Sequence, residues 1–244
     1  RIRETYWFTL QCNKVDTQMS NVIKYLPRVK KQKIGVIIQA RMSSIRFPGK
    51  SMELLYNKPV LRHVIERAKQ IRGEKGNNLD HVILAVPDTD ASEPMLELAT
   101  KLGVNNFCGH ETNVLDRYYH AAKFFELDIV VRITADCPMV NPYVSSEVLQ
   151  LLLWRHLDYC SNCYPNRSYP KGYDTEVFTM DCLDAAWQLA TTDYQKEHVT
   201  PWMVENSKKL KTSCVMQQKD RSDINLCVDF PSDIERLEKM ALDV

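Results

Sequence analysis

The sequence of 244 residues contains no apolar run that approaches the roughly 20 residues needed to cross a bilayer. Its opening, RIRETYWFTLQCNK, lacks the long apolar segment of a signal peptide. The net charge is only +1, from 32 basic and 31 acidic residues, so no overall field would attract nucleic acid or an anionic membrane. We therefore predict a cytoplasmic protein with no nucleic-acid or membrane partner, in which any binding of anions is local.

The eight cysteines have no regular spacing and do not form the pattern of a disulfide framework. Cys160 and Cys163 make one CxxC pair, but no second pair follows at the spacing of a structural zinc site. We interpret the cysteines mostly as small buried apolar residues.

The first 32 residues differ from those that follow. They show no clear hydrophobic period and run into the basic stretch KYLPRVKKQK, which Pro27 interrupts. We predict an N-terminal extension or linker over residues 1 to 32 and one domain over residues 33 to 244. The start on Arg1 rather than Met is compatible with a processed or excised piece of a longer protein. The alternative for the basic stretch is salt-sensitive binding of nucleic acid.

From Lys33 onward, apolar runs of strand length alternate with helical patterns. IGVIIQ is continuous and rich in β-branched residues, as expected of a strand buried on both faces, and we predict HVILAV and DIVVRIT as further strands of the same sheet. The alternation predicts an α/β fold with a mostly parallel sheet wound by helices. The second half is less regular, and we predict a mixed arrangement there. It includes helices from Leu183 and from His198, and NLCVD as a last buried strand.

The stretch QARMSSIRFPGKS, residues 39 to 51, ends like a phosphate-binding P-loop but does not fit one. Ser44 stands where that loop requires glycine for its tight turn, and Pro48 lacks an N–H group for a phosphate cradle. Arg41, Arg46 and Lys50 nevertheless place three cations within ten residues. This pattern predicts a cationic loop that binds an anion through side chains.

Ligands of open α/β sheets lie at the carboxyl ends of the strands, so residues just past each strand are the informative ones. The cationic loop follows the first predicted strand, Asp136 follows DIVVRIT, and Asp229 follows NLCVD. Two carboxylates and these cations could hold a magnesium nucleotide, because Mg²⁺ takes one or two carboxylates together with phosphate oxygens. The alternative is that each aspartate is an ordinary turn or helix-capping residue, as we predict for Asp233.

Six segments resemble, in the same order, the motifs of the spore-coat polysaccharide cytidylyltransferases, a family related to acylneuraminate and 3-deoxy-manno-octulosonate cytidylyltransferases. The resemblance extends from about Lys33 to the C-terminal end. The segments are QARMSSIRFPGK, VLDRYYHAA, VRITADCPMVNP, KGYDTEVF, EHVTPW and VDFPSD.

The resemblance implies a Rossmann-like nucleotide-diphosphosugar transferase fold and transfer of CMP from CTP to a sugar acid, with Mg²⁺ and release of pyrophosphate. It also implies a homodimer, because related enzymes are often dimers. The implied catalytic residues are Arg46, Lys50, Asp136 and Asp229, of which the two aspartates bind the metal. The implied nucleotide-binding residues are Gln39, Ala40, Arg41, Arg46, Lys50, Arg132 and Thr134. The positions implied to face the acceptor sugar are Asp174, Glu176, Glu197 and His198.

Two positions depart from the family pattern, which usually has glycine in place of Ala135 and aspartate in place of Asn141. These departures leave open an inactive nucleotide-binding module. A second alternative is a glycosyltransferase of similar fold, although its usual DxD metal motif is not present in TADCP. His198 is a candidate general base, or else only opens a local helix. Arg167 and Lys171 are candidates for binding a substrate carboxylate, or else solvated loop charges.

Overall fold

Seven strands form one central sheet in residues 31 to 240, the part of the chain that the structure, a computed structural model, describes. Two further strands pair separately as a short antiparallel hairpin. In chain order the strands are β1 (Ile34–Gln39), β2 (Leu54–Leu55), β3 (Lys58–Pro59), β4 (His81–Pro87), β5 (Asn105–Gly109), β6 (Ile129–Thr134), β7 (Tyr159–Ser161), β8 (Glu176–Thr179) and β9 (Thr212–Cys214).

The sheet order is β5-β4-β1-β6-β8-β7-β9. The first four of these strands are parallel, β8 is antiparallel to both of its neighbours, and β9 is parallel to β7. The predicted α/β fold with a mostly parallel sheet and a mixed C-terminal half is therefore confirmed. Gln39 pairs with Thr134 in register, so β1 and β6 end side by side and place the residues after them at one edge.

Helices cover both faces of the sheet because the parallel strands have apolar side chains on both faces. They are α1 (Val60–Ala68), α2 (Glu93–Lys101), α3 (Val114–Phe124), α4 (Pro142–Arg155), α5 (Met180–Leu189), α6 (Asp193–His198), α7 (Pro201–Glu205) and α8 (Pro231–Met240). Buried residues of α1, α2 and α4 share one hydrophobic cluster, and those of α3 and α5 share a second. Residues of α8 belong to a third, smaller cluster near β2.

One of the predicted elements is wrong, and another begins later than predicted. NLCVD is not a strand: its only bridge joins Asn225 to Lys171, and the Val228 N–H donates to the Asp136 carbonyl at 2.9 Å instead of to a neighbouring strand. Leu226 and Val228 are nevertheless buried, which explains the apolar pattern. The helix predicted from His198 begins at Pro201, as α7. His198 itself ends α6, and Val199 after it has a φ of 72°.

The described residues contain no helix that is both long and apolar enough to span a membrane. Cys160 is buried in the first hydrophobic cluster and Cys163 is half-buried, both as free thiols. The predicted extension, residues 1 to 32, falls almost entirely outside the described residues. Its boundary at residue 33 remains a prediction.

Candidate active site

Two backbone N–H groups of the loop after β1 form hydrogen bonds within the loop itself. The Gly49 N–H donates to the Met42 carbonyl at 3.0 Å, and the Lys50 N–H donates to the Phe47 carbonyl at 3.2 Å. Gly49 has a φ of 75°, which glycine adopts without strain. These amides are not free to cradle phosphate, in agreement with our rejection of a P-loop. The loop can contribute to anion binding through its cationic side chains.

Lys50 connects the two aspartates that the sequence singled out. Its Nζ lies 2.8 Å from Oδ2 of Asp136, 3.1 Å from Oδ1 of Asp229 and 2.9 Å from the Val228 carbonyl oxygen. A guanidinium nitrogen of Arg46 lies 2.8 Å from the same Asp229 oxygen. Side chains from three distant parts of the chain therefore meet at one point, at the carboxyl ends of β1 and β6.

Other groups fix the two aspartates independently of Lys50. The Thr134 hydroxyl donates to Oδ1 of Asp136 at 2.6 Å. The carboxylate of Asp233 accepts the N–H groups of Asp229 and Phe230 at 2.8 and 2.9 Å, as a cap at the start of α8. Asp233 is thus the structural carboxylate of VDFPSD, as predicted, while Asp229 faces the cations.

Both members of the Lys50 and Asp136 pair have shifted pKa values. Burial by itself raises the pKa of Asp136, but the charge of Lys50 and the bonds from Lys50 and Thr134 outweigh it, and the net shift is downward. Burial likewise lowers the pKa of Lys50, yet Asp136 and Asp229 together raise it. Each group therefore holds the other in its charged form.

We expect the stabilising effect of this pair to be lost in acid. A lowered folded-state pKa means that Asp136 stabilises the fold above its unfolded pKa of about 3.9 and stops doing so as the pH falls through the folded value. The difference in free energy of unfolding between wild type and Asp136→Asn, measured by urea titration, should be constant from about pH 5 to 9 and shrink below about pH 4. An unchanged difference at pH 3 would contradict the pairing.

A cavity of about 490 Å³ opens beside the pair. Ten of the residues implied by the resemblance line it, namely Gln39, Ala40, Arg41, Arg46, Lys50, Arg132, Thr134, Asp136, Glu197 and His198. Asp229 does not line the cavity itself, but it contacts Arg46 and Lys50, which do. A second cavity of about 450 Å³ shares Arg132 and His198 with the first and is also lined by Tyr194 and Glu205. The two cavities together offer adjacent spaces for two ligands.

Two residues implied to face the acceptor have internal partners instead. Both oxygens of Asp174 accept from the guanidinium of Arg167, and neither residue lines these cavities. Glu176 is buried, accepts from Arg132 and receives the Tyr159 hydroxyl at 2.6 Å. Acceptor contact therefore stays a prediction, with Glu197 and His198 the better placed.

Lys171, the other predicted carboxylate binder, lines neither cavity, and its backbone pairs with the segment at Asn225. Arg167 has its charge matched by Asp174. Sequence reasoning could not foresee these partners, because the resemblance supplies residue identity but not side-chain direction.

Arg117 is a charged cavity residue that the sequence analysis missed. Its side chain is buried, and it donates to the carbonyl oxygens of His110 and Glu111 at 2.6 to 3.0 Å. Burial, together with the nearby charge of Arg41, lowers the pKa of Arg117 to about 10. No carboxylate in residues 31 to 240 forms an ion pair with it. Arg117 could have been found from the sequence, because it lies in VLDRYYHAA, one of the six segments that resemble the family motifs. It is in the first turn of the helix after β5.

The two departures from the family pattern have local explanations. Asn141 caps α4, because its side-chain oxygen accepts the N–H groups of Tyr143 and Val144; an aspartate could accept the same bonds. Ala135 is buried in the first hydrophobic cluster. Its φ is not positive, so glycine is not required for the backbone conformation.

The pair Asp136 and Asp229 fits a divalent cation that also binds phosphate. Their oxygens both lie within hydrogen-bond distance of one nitrogen and so are at most about 6 Å apart. Residues 31 to 240 contain no group of three or more His, Cys, Asp or Glu placed to hold a metal. Two carboxylates suffice for Mg²⁺ only when phosphate oxygens or water complete its shell. The donor set therefore suits a cation that arrives with a nucleotide.

Comparison with known proteins gives the family. The sequence model of the family described as cytidylyltransferase matches residues 35 to 243. The chain belongs to this cytidylyltransferase family. Membership of this family supports a nucleotidyltransferase activity, as the resemblance implied, and argues against a glycosyltransferase of similar fold.

Relatives of this cytidylyltransferase include the spore coat polysaccharide biosynthesis protein SpsF of Bacillus subtilis (strain 168). It is 27% identical over 208 residues, which cover 84% of each chain. A solved cytidylyltransferase from Leptospira borgpetersenii serovar Hardjo-bovis superposes with a TM-score of 0.80 at 29% identity, covering 87% of this chain and 88% of that one. CMP:2-keto-3-deoxy-manno-octonic acid synthetase, solved in complex with CTP, has the same fold, with a TM-score of 0.65 at 20% identity over 87% of this chain and all of that one.

Proposed function

We propose that this cytidylyltransferase transfers CMP from CTP to a sugar acid and releases pyrophosphate, in the synthesis of a surface polysaccharide or glycan. The observation that carries the proposal is the meeting of Lys50 with Asp136 and Asp229 at the wall of the cavity. Two carboxylates for a metal and adjacent cations for a triphosphate are the groups that this reaction needs.

The cations suit a triphosphate bound along the cavity. Arg46 and Lys50 lie at the carboxylate pair, and Arg41 and Arg117 line the cavity as well. The solved relative in complex with CTP supports CTP as the nucleotide, since it has the same fold. Neutralisation of the phosphates by fixed cations would stabilise negative charge on the leaving pyrophosphate.

Catalysis in this scheme depends on positioning. A sugar hydroxyl would attack the α-phosphorus of CTP in line with the leaving pyrophosphate. Asp136 and Asp229 would hold Mg²⁺, and Arg46 and Lys50 would bind the phosphates. Bound Mg²⁺ would neutralise phosphate charge and lower the pKa of the attacking hydroxyl. The short bond from Thr134 would keep Asp136 directed at the cavity.

The second cavity is our proposed place for the acceptor, because it joins the first at Arg132 and His198. The carboxylate of a sugar acid requires a cation. Arg132 is matched by Glu176, so His198 is the better candidate within the second cavity. Arg41 lines the first cavity, has an exposed contact with Glu197 at 3.2 Å and is a candidate only where the two spaces meet. The name of the Bacillus subtilis relative supports an acceptor used in polysaccharide synthesis. A homodimer and a cytoplasmic location belong to the same proposal.

The test is a screen of the four ribonucleoside triphosphates against several acidic sugars, read as pyrophosphate release with Mg²⁺ present. We expect release only with CTP and only when an accepted sugar acid is added. Binding of CTP by calorimetry without turnover on any acidic sugar would instead support the inactive nucleotide-binding module. Release that requires a different nucleotide would refute the choice of CTP.

A further inference from the structure

Lys50 has no donor left for a phosphate in this structure. An ammonium group has three N–H donors and no acceptor. All three are used, on Asp136, Asp229 and the Val228 carbonyl, at 2.8 to 3.1 Å. Contact with a triphosphate therefore requires Lys50 to leave at least one of these partners.

A divalent cation held by Asp136 and Asp229 would compete with Lys50 for them, because the Lys50 Nζ lies within 3.1 Å of a carboxylate oxygen of each. Lys50 and Arg46 already balance the two carboxylates in charge. An additional divalent cation would meet two positive side chains at close range, which is unfavourable in a partly buried site.

Each aspartate has a contact besides the one to Lys50. Thr134 holds Asp136, and the Asp233 cap holds the backbone at Asp229. Lysine is a point charge on a flexible four-carbon stem, so it can move to a phosphate while these anchors stay. The space that the Lys50 ammonium group leaves would then be lined by the two carboxylates.

We propose that Lys50 takes the place of the divalent cation between Asp136 and Asp229 in the nucleotide-free protein, so that the metal binds these carboxylates only together with the nucleotide. The proposal rests on the metal-binding role given to them in the proposed function. Arrival of the triphosphate draws Lys50 and Arg46 to its oxygens and frees the carboxylates for the cation. Nucleotide and metal binding are then coupled, each increasing the affinity for the other.

The experiment measures binding of Mn²⁺ to nucleotide-free protein, by the loss of the free-ion signal in electron paramagnetic resonance, with Mg²⁺ calorimetry in parallel. Wild type should bind weakly. Lys50→Met should bind one Mn²⁺ at least about tenfold more tightly, because the competing charge is gone while Thr134 still holds Asp136 and Asp233 still holds the backbone at Asp229. The double variant Lys50→Met/Asp136→Asn should lose this gain. Lys101→Met is the matched control, since Lys101 is exposed and, within the described residues, pairs only with Glu97.

Three results overturn the proposal: one Mn²⁺ bound to nucleotide-free wild type at low micromolar concentration, equal affinity in wild type and folded Lys50→Met, or the same gain in Lys101→Met. Lys50→Gln, which keeps hydrogen-bonding capacity, repeats the comparison if the methionine variant does not fold by circular dichroism. The wild-type measurement needs no variant. These assays contain neither CTP nor sugar. Failure of the screen for pyrophosphate release would therefore refute the proposed function without changing the interpretation of the Mn²⁺ measurements.

Discussion

Replacing Asp136 by alanine should reduce CTP-dependent pyrophosphate release by about a thousandfold or more, because the reaction would lose one of the two proposed metal ligands. Asp136 contacts Lys50 at 2.8 Å and is itself held by Thr134. The measurement is the steady-state rate at saturating CTP and acceptor. Circular dichroism should show that the fold is intact, since Asp136 lies in a turn after β6 and not in a strand.

Asp88 provides the matched control for Asp136. It directly follows β4 at the same edge of the sheet, but it is exposed and lines neither cavity. Asp88→Ala should therefore leave the rate within about twofold of wild type. Near wild-type turnover in Asp136→Ala would rule out the metal assignment, and an equal loss in both variants would show that the effect is not specific to the pair.

Replacing Gly172 by alanine should lower both stability and activity. Gly172 has a φ of 98°, and an added Cβ would lie 2.9 Å from the carbonyl carbon of Leu226 and 3.0 Å from its oxygen. These are backbone atoms of the segment that leads to Asp229, so they cannot turn away as a side chain would. We expect a loss of about 3 kcal/mol in free energy of unfolding, from backbone strain and overpacking together. Urea unfolding and the rate of pyrophosphate release check the two effects.

Gly76→Ala is a control that introduces the backbone strain of a positive φ without a steric clash. Its φ of 76° is also in the left-handed region, but an added Cβ would have no neighbour within 4 Å. Gly76→Ala should cost only about 1 kcal/mol and leave turnover unchanged. If Gly172→Ala costs no more than Gly76→Ala, the close approach of Gly172 to Leu226 is not important for the fold.

The parallel half of the sheet could be predicted from the sequence because its physical signal is local. Strands buried on both faces are mostly apolar, and IGVIIQ, HVILAV and DIVVRIT fit that pattern, with Arg132 as the charged exception inside the last of them. NLCVD shows the limit of the same reasoning. Its buried side chains resemble those of a strand, but the backbone partner of Val228 is a turn at Asp136, which no hydrophobic pattern reveals.

The candidate site could be predicted in part for a similar reason. Residues past strand ends must gather at one edge, so the convergence of Lys50 and Asp136 follows from a parallel sheet. The internal partners of Asp174 and Glu176 depend on side-chain direction, which the sequence does not give. Arg117 was missed because a cation on a helix usually faces solvent, whereas the absence of a side chain at Gly109 leaves space for this one to lie inward.

The position of Asp229 late in the chain has a consequence for biosynthesis. All strands of the central sheet precede residue 215, whereas Asp229 lies beyond them. A nascent chain that has emerged only as far as Cys214 can already contain the whole sheet, yet it has one acid of the pair and a lysine without its second partner. Translation thus completes the scaffold before it completes the reaction centre.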